Sequence, residues 1–323
     1  SADQRKAAET LAEMVTKQLV QLIREGQEVS FSFGLNRRSD EIALDLGLKA
    51  RPGTELEKTI KELGRSRSRF AGVMAKTNTL NVGFHFNLPS QLREAYAPLL
   101  DQFLEDAIKK AANQKQREAA EKFLEALMPT FKAGEIDIAL AIRGPDKNNL
   151  YSLVMAAGLK DGTPVERAVR DLVPMLNRGD REQLTLDAVS VAGTKVHRID
   201  QKKPDPEQAE RFGKGPGYLA IRDDAIVLTM GPEALQLMKE TLTSAPGPAP
   251  LMRFDMGMKA FLMLGDDQPR LKEAVRQLLV ADPGSDAISV TLTGGSTLHL
   301  RYGIKVPLLR IIPGLSGEGA DSQ

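Results

Sequence analysis

The chain holds three histidines, His85, His197 and His299, and no cysteine. Three neutral imidazoles converging on one point could bind zinc, while the missing thiols remove thiolate metal sites, disulfides and cysteine nucleophiles together. No His-x-His or His-x-x-x-His spacing puts two of them on one strand or helix face. Each falls in a strand-like stretch, and alternation places His85 and His299 on the more polar faces, so solvated strand positions are expected. No metal and no cofactor is expected from them. Paired carboxylates at Asp40-Glu41, Asp223-Asp224 and Asp266-Asp267 could divide general acid and base roles. Each pair sits at an expected turn or helix start, where Asp serves local hydrogen bonding. A hydrolase built on them would need Asp40, Asp223 and Asp266 to converge in one cleft.

Three further stretches could bind rather than react. Arg65-Ser-Arg-Ser-Arg69, if extended, puts three guanidiniums on one face, a grip for phosphate or carboxylate. Charge runs are usually solvated, and nothing aromatic is interleaved except Phe70. Gly213-Lys-Gly-Pro-Gly217 offers backbone N–H groups to an anion, yet it precedes a strand, whereas phosphate loops precede helices. Met252, Met256, Met258 and Met263 cluster within Leu251–Leu264; the first three could form an adaptable apolar surface, although Phe254, Phe261 and Leu262 nearby favour core filling. No Gly-x-Ser-x-Gly elbow appears; Gly314-Leu-Ser-Gly317 falls in the tail, without the strand and helix expected to flank such a motif.

The elements that must position these residues show an internal duplication. Gly53-Thr-Glu-Leu-Glu-Lys-Thr-Ile-Lys-Glu-Leu63 aligns without gaps on Gly162-Thr-Pro-Val-Glu-Arg-Ala-Val-Arg-Asp-Leu172. Both read as helix starts with a Thr-x-x-Glu capping box, Thr54 with Glu57 and Thr163 with Glu166. Upstream, Gln4–Glu9 resembles Gln116–Glu121, and each opens a helix of period 3.6 that runs to a glycine, Gly26 or Gly134. An alternating hairpin follows each: Val29–Leu35 with Ile42–Leu48, and Ile136–Ile142 with Leu150–Leu159. Downstream come strands Phe70–Ala75 and Leu80–Leu88 with a helix over Ser90–Lys110, matched by Tyr218–Arg222 and Ala225–Thr229 with a helix over Glu233–Leu242. The second copy carries an insertion around Asp180–Gly215. A last helix and hairpin over Arg270–Ile312 read as a truncated third unit.

The expected fold is therefore α+β, an internally duplicated helix-hairpin-helix-hairpin-helix unit with antiparallel sheets covered by helices. Residues 1–133 form the first repeat; residues 134–323 form the second, with the helix 113–133 leading into it and a C-terminal helix-hairpin extension. The strands lack the strand–helix–strand alternation of a dinucleotide-binding fold. With 44 Lys+Arg against 43 Asp+Glu, the charge argues against a nucleic-acid partner held by phosphate neutralisation. No apolar stretch reaches the roughly 20 residues of a spanning helix, and no signal peptide is visible.

Lys49-Ala-Arg-Pro-Gly-Thr54 and Tyr218-Leu-Ala-Ile-Arg-Asp-Asp-Ala-Ile-Val-Leu228 before Gly231-Pro-Glu-Ala-Leu235 carry a resemblance at the level of pattern. Over about residues 29–245 the chain resembles uncharacterised secreted or periplasmic bacterial proteins of a domain-of-unknown-function type. The resemblance implies an exported protein and defines no catalytic residues. A chain that starts Ser-Ala-Asp and lacks cysteine fits a periplasmic or secreted location. The expectation is a non-enzymatic, extracytoplasmic binding or structural protein, whose partner is another protein or a hydrophobic small molecule. Its alternatives are a carrier of a lipid-like ligand in a cleft between sheet and helices, and a hydrolase using the turn carboxylates.

Overall fold

The computed structural model describes residues 12, 16–17, 19–65, 67–88, 93, 108, 114–176, 178–201, 205–264, 269–281 and 286–309. Most of the helix expected over Ser90–Lys110, the Asp266-Asp267 pair and the tail from residue 310 lie outside them. The strands are β1 (Gly26–Asn36), β2 (Glu41–Ala50), β3 (Arg67–Ser68), β4 (Leu80–Asn87), β5 (Glu135–Arg143), β6 (Ser152–Gly158) and β7 (Leu184–Val191). They continue with β8 (Thr194–Ile199), β9 (Gly217–Arg222), β10 (Ala225–Met230), β11 (Gly247–Pro248), β12 (Met252–Gly257), β13 (Asp286–Thr293) and β14 (Leu298–Lys305). Twelve form one antiparallel sheet in the order β1-β2-β14-β13-β12-β4-β5-β6-β10-β9-β8-β7; β3 and β11 pair separately. Four of the five expected hairpins are present, β1–β2, β5–β6, β9–β10 and β13–β14, and all belong to this one sheet. The C-terminal hairpin, set aside by its sequence as a third unit, lies inside it between β2 and β12.

Helices among the described residues are α1 (residues 19–25), α2 (Glu55–Leu63), α3 (Gln114–Ala133), α4 (Thr163–Leu172), α5 (Arg178–Arg181), α6 (Pro206–Phe212), α7 (Ala234–Thr243), α8 (Met258–Leu264), α9 (Pro269–Ala281) and α10 (Val306–Leu309). One expectation fails locally, and one stretch gains a role in the sheet. Phe70–Ala75 is not a strand: Ala71–Val73 is a single 3₁₀ turn after the two-residue β3. The stretch read as an insertion, Asp180–Gly215, supplies β7 and β8, the last two strands of the sheet.

The two matching helix starts are capped differently. Thr54 accepts the Glu57 N–H through its hydroxyl, while Glu57 reaches back to the N–H of Gly53 at 2.8 Å. At α4 the N-cap is Gly162, with no side-chain cap bond; Asp161 instead accepts the Thr163 N–H, and the Thr163 hydroxyl donates to Asp223. Glu166 is thereby free for another task. Thr54→Ala should lower stability by about 1 kcal/mol, measured as an earlier urea midpoint. Thr163→Ala should cost only a few tenths, since that hydroxyl caps nothing.

The pairing register makes one sheet face apolar across nearly its whole width. Phe31, Leu46, Leu300, Leu292, Met252, Phe84, Ile138, Ala157, Ile226 and Ile221 form one row over ten strands. Helices α3 and α4 cover this face over β9 and β10 through Phe123, Ala126, Val165 and Ala168. At its other flank Met258, Val275 and Leu308 of α8, α9 and α10 pack on Ile288 and Ile304. The opposite face changes character midway. The row Ser32, Asp45, Arg301, Thr291, Arg253 and Gly83 is polar or small, then becomes Ala139, Ala156, Val227, Ala220 and Val196. Helix α7 sits on that second, apolar part through Leu237, Met238 and Leu242. No helix among the described residues is long and apolar enough to cross a membrane.

Candidate functional site

Between α1, α2 and the apolar sheet face runs a cleft of ≈ 960 Å³. Its floor is Phe84 and Phe86 of β4, Met252 of β12, Leu292 of β13 and Leu298 of β14, and its walls include Val20, Leu56 and Leu63. Polar groups stay at the rim, where Lys17, Arg24, Glu25, Glu55 and Glu62 bring both signs of charge. An apolar interior with few polar groups is the usual make-up of a small-molecule site, and this volume is at the upper end of the usual range of about 300–1,000 Å³.

Two contacts hold the walls. Glu25 at the end of α1 accepts the Leu56 N–H at 2.8 Å, so its carboxylate satisfies one open donor of the first turn of α2. At the other end of α2, Gly64 abuts the β13–β14 turn: the Gly295 N–H donates to the Ile60 carbonyl at 2.9 Å. A methyl group on Gly64 would run into the backbone of Gly294 and Gly295. This close backbone approach is what the Gly-Gly pair supplies beyond a tight turn.

On the opposite face the structure assembles a buried polar group that periodicity does not reveal. Asp137 of β5, 3 % exposed, accepts the Ser68 hydroxyl at 2.7 Å and the Arg69 N–H at 2.8 Å, with the Arg69 guanidinium 3.5 Å away. His85 of β4 is also buried, correcting its expected solvation; its Nδ1 stands 3.6 Å from Asp137, and neither ring nitrogen has a hydrogen-bond partner among the described residues. Burial pushes the Asp137 carboxyl up, but His85, the Ser68 hydroxyl and the Arg69 N–H outweigh burial and hold it below the ordinary 3.8. Serine, histidine and aspartate are the types of an acyl-transfer triad, but the order is wrong for it. The carboxylate stands between the other two, so the Ser68 proton goes to Asp137 and no imidazole can take it.

His197, fully buried, is likewise not solvated. Its Nδ1 accepts the Asp187 N–H at 3.1 Å, which leaves Nε2 protonated and donating to Glu166 at 3.1 Å. Glu166, Asp187 and His197 could hold a metal ion by the proximity of their ligand atoms. Arg170 already bridges the two carboxylates, at 2.6 Å from Glu166 and 2.5 Å from Asp187, and Nδ1 is occupied. The cation this pair of carboxylates needs is a guanidinium. Asp187 reaches the cluster because β7 bulges there, with φ +53 and a register shift between Thr185 and Val189. His299 is the histidine at the surface, 3.0 Å from Asp45 beside Arg301.

The other residues singled out by type are dispersed. Arg65 is exposed, Arg67 donates to the Pro246 carbonyl at 2.7 Å, and Arg69 faces Glu135, Asp137 and Asp224 within 4.0 Å. Met258 and Met256 are buried, and Met252 alone of the three lies in the cleft floor. Asp40 and Asp223 occupy the β1–β2 and β9–β10 turns, at opposite regions of the sheet; Asp224 is clamped by Arg222. Gly213 closes α6, its N–H donating to the Ala209 carbonyl.

Fold and cleft together define a mixed α+β protein with one large antiparallel sheet, helices packed on both faces and, among the described residues, an apolar groove between α1, α2 and the sheet. No protein family, no curated protein and no solved structure matches the chain.

Proposed function

We propose that this protein binds an apolar, lipid-like small molecule in the cleft between α1, α2 and the sheet. The observation that carries this reading is the cleft itself, floored by Phe84, Phe86, Met252, Leu292 and Leu298 and large enough for a long-chain ligand. Water held against such a floor is released when an apolar chain replaces it, a gain of about 25 cal/mol per Å² of surface covered. With both signs of charge at the rim, a head group of one sign is not selected. Titration with the fluorescent apolar probe N-phenyl-1-naphthylamine tests this. Wild type should bind it, and Phe84→Asp should weaken binding at least about 10-fold, since a carboxylate on the floor must be desolvated by the ligand. Tyr302→Asp, at a similarly exposed site on the same face outside the cleft, should leave it unchanged. Equal affinity in all three proteins, or no binding by wild type, would reject the reading.

The same reading includes a duplicated architecture, with one copy nested in the other. Supporting it, β5–β6 is followed by α4 and then by β7 to β10, with β10 returning to β6. Likewise β1–β2 is followed by α2 and then by β4, β12, β13 and β14, with β14 returning to β2. In chain order the second copy then runs between β4 and β12 of the first, which pair directly with each other in the sheet. The match of Gly53–Leu63 with Gly162–Leu172, each the helix after its hairpin, supports this too.

A further inference from the structure

The two edges of the sheet are built differently. Edge strand β7 is interrupted by the bulge at Asp187 and carries charge there, features that stop a further strand from pairing. Edge strand β1 has no such protection. It runs in register with β2 from Glu28 to Asn36, and Val29–Leu35 contains no proline and no charged residue. On one face it presents Val29, Phe31, Phe33 and Leu35, 58–71 % exposed, and on the other only Ser30, Ser32 and Gly34. Its outer backbone N–H and C=O groups have no strand beside them among the described residues.

We propose that β1 pairs antiparallel with β1 of a second copy of this chain, joining two sheets into one across a twofold axis at Ser32. The strand is self-complementary about that residue. Phe31 meets Phe33 of the second copy, Val29 meets Leu35, and Ser30 meets Gly34, so apolar lies against apolar and small against small. The ends complement each other in charge: the exposed Glu28 and the exposed Arg37 and Arg38 bracket the strand, and antiparallel pairing brings the acidic end of each copy to the basic end of the other. An axis perpendicular to the sheet keeps the faces aligned, so the apolar rows continue from one copy into the next.

Sedimentation equilibrium of the full chain at micromolar concentrations tests the pairing. Wild type should show twice the 35.2 kDa chain mass. The double variant Phe31→Lys/Phe33→Lys sets lysine opposite lysine across the axis and should weaken dimerisation by on the order of 100-fold. Both side chains are exposed, so its thermal unfolding should resemble that of wild type diluted until it dissociates. Since the chain lacks cysteine, Ser32→Cys should cross-link to itself on mild oxidation, whereas Ser30→Cys, opposite Gly34, should not. A wild type of single-chain mass, a dimer that survives the double lysine variant, or equal cross-linking at positions 30 and 32 would overturn the proposal.

Discussion

Asp137→Ala should cost about 3–5 kcal/mol of folding stability, the expected penalty for removing one partner from a buried charged network. The variant strands the Ser68 hydroxyl and the Arg69 N–H inside the protein and leaves the Arg69 guanidinium without its most buried carboxylate. It also frees β3 from β5, so the β3–β11 pair loses its anchor on the sheet. Chemical denaturation at neutral pH reads the loss directly. The same carboxyl fixes a pH dependence. Its pKa is depressed on folding, so its contribution is complete above the unfolded value of 3.8 and disappears as pH falls through the lower folded value. Wild type should therefore lose stability as the pH falls below about 4, and Asp137→Ala should show less of that acid-side decline. A variant as stable as wild type, with an unchanged acid limb, would show that Asp137 does not hold this region.

Gly64→Ala should destabilise by about 1–3 kcal/mol, because the added methyl must displace the Gly294-Gly295 backbone. Relief is available only by moving α2 away from the β13–β14 turn, and α2 is a wall of the cleft. The substitution should therefore weaken apolar-probe binding although residue 64 does not line the cleft. Gly53→Ala gives the contrast: it carries a strained positive φ of +82, but no atom lies within 4 Å of the added carbon. It should lower stability through backbone strain while probe affinity stays near wild type. Unfolding midpoints and probe titrations on the two variants separate the effects.

What was legible in the chain was what depends on neighbours in sequence. Alternation in Val29–Leu35, Ile42–Leu48 and Ile136–Ile142 gives β1, β2 and β5, and the capping residues around Thr54 give α2. The joining of these hairpins into one sheet rests on partners far apart, such as Arg301 and Asp45, 256 residues from each other, and leaves no local trace. The cleft was legible only in outline for the same reason: its floor comes from β4, β12, β13 and β14. His85 was misread because its polar face is covered by the short segment after β3, which lacks the length of a recognisable element. Glu166 looked like a capping residue, and it escaped that role because Asp161 satisfies the helix start. The type of each residue was visible; its partner was set by topology.

The placement of β14 between β2 and β13 bears on how the chain acquires its structure. During synthesis β1 and β2 precede the other strands of the sheet, yet the second neighbour of β2 arrives only with residues 298–305. Strands β5 to β10, by contrast, are consecutive in the chain and adjacent in space. The middle of the sequence can thus close while β2 still waits for β14, made about 250 residues later. Such late, long-range closure slows folding and lengthens the interval in which unpaired strands can aggregate. Conditions that keep the early hairpin from aggregating until β14 is made should therefore raise the yield of folded protein.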